Sequence, residues 1–169
     1  MAIHPQLPNA ITVIRIPLAA VSFVLLLLGG VYGSDGLTLR WIAAVIFVVG
    51  MATDWVDGYL ARKHGIVSDF GKLWDPIADK FLTGAGFVGL AILGEVWWWM
   101  VLVILLREWG ITAHRLVIAN EHVVAAAWMG KIKTVVQAIA LSWALLPFWL
   151  WIGTPAFSIV SLVLMSIAV

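Results

Sequence analysis

Four aspartates, Asp54, Asp57, Asp75 and Asp79, stand as two pairs spaced three and four residues apart within one short stretch of an otherwise oily chain. Each spacing puts both members of a pair on one face of a helix. If the two helices run antiparallel across a short polar loop, depth can be counted from both sides at about 1.5 Å per residue, which sets Asp57 level with Asp75 and Asp54 level with Asp79. Four carboxylates that can aim at one point repel one another, so a cation belongs among them. Oxygen donors alone, in a chain without cysteine, suit a hard divalent ion such as magnesium, manganese or calcium. Such an ion keeps positions for water and phosphate oxygens, so phosphoryl chemistry is expected. Gly58 and Ala61 leave room for a ligand to approach the backbone. Arg62 can meet a phosphate with a fork of donors. The rival account, helix-to-helix hydrogen bonds with Lys72 or Lys80 neutralising charge, explains a lone buried aspartate better than two matched pairs. Asp69, in the polar loop, reads as a helix-start residue.

The elements that must position these groups lie in a chain of 169 residues, 63% hydrophobic and 11% charged, with mean hydropathy +1.07. Those values lie outside the soluble globular range and indicate an integral membrane protein with room for a single domain, 1–169. The opening MAIHPQLPNA carries no basic leader region, so the first apolar run is expected to stay as an anchor. The fold expected is all-α and polytopic. Six transmembrane helices, about 8–29, 38–62, 71–93, 96–119, 127–151 and 155–169, surround a polar cavity on the cytoplasmic side. Arg62, Lys63 and Lys72 flank the second loop and Lys131 and Lys133 the fourth, which places the even loops in the cytoplasm. Arg40 dissents from that pattern on the outer side. Trp41, Trp97 to Trp99, Trp149 and Trp151 fall at the outer helix ends, where an aromatic belt belongs. His4, His64, His114 and His122 show no metal-site pairing. Gly84, Gly86, Gly89 and Ala125 to Ala127 can pack inside the bundle or against a second copy, so a homodimer is possible.

The run Asp54, Asp57-Gly58, Ala61-Arg62, Gly71, Asp75, Asp79 resembles the signature of the CDP-alcohol phosphatidyltransferases, with no departure from its spacing. LPNAITVIRI (7–16), REWGITAHR (107–115) and GKIKT (130–134) are similar to the branch of that family whose acceptor is glycerol 3-phosphate. The resemblance implies that Asp54, Asp57, Asp75 and Asp79 ligate Mg2+ or Mn2+, and that Asp79 is also the catalytic base for the attacking hydroxyl. It implies that Gly58, Ala61, Arg62 and Ser68 hold the CDP-lipid, with Asn9, Thr12 and Arg15 near the nucleotide. The reaction implied transfers a phosphatidyl group from CDP-diacylglycerol to glycerol 3-phosphate and releases CMP. Its partners are those two substrates and the lipid bilayer, with no nucleic acid. Its place is the cell (inner) membrane, multi-pass, with the active site facing the cytoplasm.

Selection of the acceptor falls to the remaining cytoplasmic-side cations, Arg107, Arg115, Lys131 and Lys133, which suit an anionic alcohol. Arg115 with Lys131 is the better-placed phosphate clamp. Arg107 is as readily read as the ion-pair partner of Glu108, and Lys133 as a residue reaching the interface. Within the family an inositol phosphate acceptor is the alternative. From a different class, a divalent-cation transporter would also explain intramembrane carboxylates, but it calls for acids along a path to both faces. A structural membrane subunit is the third reading.

Overall fold

The computed structural model describes the backbone of residues 7–31, 36–64, 69–117 and 127–168, and the side chains of 13–31, 36–53, 77–113 and 133–168. Among the described residues there are six long helices and one single turn: α1 (Leu7–Gly29), α2 (Leu37–His64), α3 (Asp69–Ile92), α4 (Trp98–Val117), α5 (Ala127–Leu145), α6 (Trp149–Ile152) and α7 (Thr154–Ala168). Every expected helix boundary falls within two residues of the observed one except the end of the fifth segment, which stops at Leu145 rather than near 151. Pro147 is the cause. It has no N–H for the ladder, its ring crowds the preceding turn, and it biases Leu146 away from helical backbone. The chain then makes the one-turn α6 and breaks again at Gly153, whose φ of 80° lies in the left-handed region that glycine adopts at least cost.

The helices alternate in direction, and one side chain demonstrates it. Arg40, at the start of α2, donates to the carbonyls of Gly30 after α1 and of Ala144 and Leu145 at the end of α5, and pairs with Glu95 between α3 and α4. Those four chain positions therefore meet at one end of the bundle. The Arg40 guanidinium also lies 4.4 Å from the Trp149 ring centroid. The arginine that breaks the charge pattern is thus a buried clamp that satisfies helix-end carbonyls otherwise without partners. Close approach of α1 to α2 depends on Gly36, where a Cβ would overlap the Gly29 carbonyl.

Packing follows helical periodicity. Arg15, Ala19, Ser22 and Leu26 form the buried stripe of α1, and Ser22 Oγ donates to the Ala43 carbonyl of α2 at 2.9 Å. α1 packs on α2 and α3, α5 on α7, and α3 on α4. The glycines of α3 are used inside the bundle: a Cβ on Gly89 would stand 2.7 Å from Leu26, and one on Gly86 3.2 Å from both Leu141 and Phe47. Gly86→Val is accordingly expected to lower stability by about 1–3 kcal/mol through overpacking. Gly110→Val, where nothing lies within 4 Å, serves as the control. Thermal unfolding in detergent separates the two, and equal melting points would remove the tight contact at Gly86.

Among the described residues, no helix is long and apolar enough to cross a membrane. Their surface has inverted polarity all the same. Large apolar side chains such as Leu106 (74% exposed) and Trp151 (69%) face outward, whereas every described Asp, Glu, Lys and Arg side chain is buried or half-buried. Trp97, Trp98 and Trp99 are exposed, whereas Trp149 is buried against Arg40 and Phe157, so it belongs to the clamp.

Candidate active site

Contacts between helices fix the level of the acidic residues. A Cβ on Gly50 of α2 would lie 3.0 Å from Leu82 of α3, and both helices continue from there toward the 65–68 connection. In an antiparallel pair with that register, position 54 comes level with about position 78, and 57 with about 75. On that register Asp54 lies about level with Asp79, and Asp57 with Asp75 about one turn nearer the connection, although the side chains of Asp54, Asp57 and Asp75 lie outside the described residues. So do the side chains of Asn9, Thr12, Gly58, Ala61, Arg62, Arg115 and Lys131, all on helical backbone, while Ser68 lies outside entirely. The four histidines also fall outside the described side chains.

Arg15 joins this level from the third side. The Gly89 contact with Leu26 gives parallel helices α1 and α3 an offset of about 63 residues, which brings Arg15 level with about position 78 of α3. Its side chain is fully buried.

Asp79 is half-buried and accepts from Lys80 Nζ at 3.1 Å. Lys80 reaches on to Glu108 Oε2 at 2.9 Å. Glu108, buried on α4, also pairs with Lys133, lies 3.5 Å from Arg107, and accepts from Gln137 Nε2 at 3.3 Å. Arg107 and Gln137 both donate to the Ala168 carbonyl at the end of α7. Of the four cations expected to select the acceptor, Arg107 and Lys133 thus converge on one carboxylate, which is linked through Lys80 to Asp79. Sequence reasoning placed Glu108 beside Arg107 but missed Gln137. The available signal was the four-residue spacing of Lys133 and Gln137, which puts both on one face of an otherwise apolar helix.

Beside Lys80 opens an apolar groove of about 460 Å³ between α1, α3 and α4, lined by Ile16, Ala20, Phe23, Gly84, Val88 and Trp109 among others. Small residues hollow it, and among its described lining residues only Lys80 is charged, adjacent in sequence to Asp79.

Among the described residues, no three His, Asp or Glu side chains gather as a metal site. The donor set that the register brings level is carboxylate oxygen throughout, the chemistry a hard divalent ion requires.

A bundle with paired aspartates level across α2 and α3 defines a class, and comparison identifies it. The sequence profile described as CDP-alcohol phosphatidyltransferase matches residues 5–169, and the chain belongs to that family. Among its relatives, a probable phosphatidylglycerophosphate synthase of Mycobacterium tuberculosis is 40% identical over 142 residues, 84% of this chain and 66% of that protein. A CDP-diacylglycerol–glycerol-3-phosphate 3-phosphatidyltransferase of Bacillus subtilis is 42% identical over 148 residues, covering 83% of this chain and 77% of the relative. The enzyme of that name from Rickettsia bellii is 38% identical over 143 residues, 84% and 76% of the two chains. The chain spans just under two thirds of the mycobacterial relative's length.

Proposed function

We propose that this protein transfers the phosphatidyl group of CDP-diacylglycerol to glycerol 3-phosphate, releasing CMP and forming phosphatidylglycerol phosphate. The observation that carries the reading is the Gly50–Leu82 contact, whose α2–α3 register supports a grouping of Asp54 about level with Asp79 and of Asp57 level with Asp75. Relatives that bear the name of this reaction support it. The acceptor hydroxyl attacks the phosphorus that carries diacylglycerol, the bond from that phosphorus to the CMP oxygen breaks, and Asp79 takes the hydroxyl proton. Arg62, Gly58, Ala61 and Ser68 hold the diphosphate and cytidine, with Asn9, Thr12 and Arg15 beside them. Arg115 and Lys131, with the Arg107 and Lys133 cluster, orient the acceptor phosphate. Asp54, Asp57, Asp75 and Asp79 hold Mg2+ or Mn2+, and the ion when bound neutralises charge on the diphosphate. The apolar groove beside Lys80 has room for one acyl chain. Outward-facing apolar side chains and inward charges support a multi-pass place in the cell membrane, and the lysines and arginines that flank the even loops support an acidic end toward the cytoplasm.

The test is CMP release from CDP-diacylglycerol by purified protein in detergent, with glycerol 3-phosphate and inositol phosphate offered separately. Release with glycerol 3-phosphate, restored by magnesium or manganese after chelation, is the expected result. Release with inositol phosphate alone overturns the acceptor. Folded protein that releases no CMP with either overturns the reaction.

A further inference from the structure

We infer that Glu108 is a positioning residue for the acceptor phosphate: it holds Lys80 and Lys133 together beside Asp79 as a preformed anion site. This rests on the reading of the acceptor as a phosphorylated alcohol. Three independent helices bring groups to the one carboxylate, Lys80 from α3, Arg107 from its own α4, and Lys133 with Gln137 from α5. A buried carboxylate this heavily partnered is more than stability requires, since one cation and a hydrogen bond would satisfy it.

Each ammonium has three donors, and Lys133 directs one at Glu108 while Lys80 divides two between Glu108 and Asp79. Without the Glu108 charge, Lys80 and Lys133 repel across the gap. Of its described partners Lys80 then keeps only Asp79, so the phosphate meets a site that must be reassembled on binding.

Glu108→Gln keeps the shape and removes the charge. It is expected to raise the KM for glycerol 3-phosphate about tenfold or more, as the loss of a charge-assisted arrangement does, while the KM for CDP-diacylglycerol stays within about twofold. Glu108→Asp, which retains the charge on a shorter stem, is expected to fall between wild type and the glutamine variant. Binding is read separately from turnover by the rise in melting temperature that glycerol 3-phosphate or inorganic phosphate induces in full-length protein in detergent. That rise is expected in wild type and lost in Glu108→Gln. Equal losses in both KM values and kcat, or an undiminished phosphate-induced shift in Glu108→Gln, make Glu108 merely structural and overturn the inference. Wild-type protein that shows the phosphate-induced shift but releases no CMP defeats the proposed reaction and leaves the anion site standing.

Discussion

Asp79→Asn is expected to abolish CMP release while the protein stays folded. Asparagine has the size of aspartate but accepts no proton, and loss of a positioned base alone costs about 10²–10⁴ in rate. The residue would also be lost as a charged oxygen ligand, so the deficit belongs at the upper end of that range or beyond. Stability is expected to change little, because Lys80, the described side-chain partner of Asp79, remains paired with Glu108. The measurement is CMP release under saturating glycerol 3-phosphate, with melting temperature recorded on the same sample. A variant retaining a tenth of wild-type turnover would remove Asp79 from the role of base.

Arg40→Ala is expected to have the largest effect on stability and little effect on chemistry. The guanidinium is buried, bonds both Glu95 oxygens at 2.5 and 2.6 Å, and satisfies the Gly30, Ala144 and Leu145 carbonyls. Truncation strands the Glu95 charge and three carbonyls together. Breaking a buried pair from one side costs about 3–5 kcal/mol, and at roughly 2–4 °C per kcal/mol the melting temperature falls by about 6–20 °C. Glu95→Ala strands the opposite charge and is expected to fall comparably. Arg40→Met with Glu95→Leu recovers part of the loss, since an apolar pair removes both charges but still leaves the carbonyls uncapped. Because the clamp sits at the end of the bundle away from Asp79, turnover per folded molecule at low temperature is expected to match wild type. A melting point within about 2 °C of wild type in Arg40→Ala would mean that the carbonyls and Glu95 find other partners.

Much of this was legible in the chain itself, for physical reasons particular to each part. The six long helices are apolar runs bounded by glycines and polar loops, and both run and breaker are local properties. Asp54, Asp57, Asp75 and Asp79 could be grouped because helical spacing and distance from one short loop determine face and depth. The end of α5 was also written locally, in Pro147, but the apolar run continues past it and masked the break.

What only the tertiary structure decided is pairing across helices. Arg40 finds Glu95 fifty-five positions away and the end of α5 more than a hundred away. Glu108 gathers Lys80, Lys133 and Gln137 from two other helices. Each such contact depends on how far one helix is rotated and slid against another, which is set by how Gly50, Gly86 and Gly89 admit Leu82, Phe47, Leu141 and Leu26. Composition and periodicity determined which residues are helical, which are apolar and which acids share a face. Side-chain volume at the helix contacts decided which charges meet, because a charge withdrawn from water must be paired where packing leaves it.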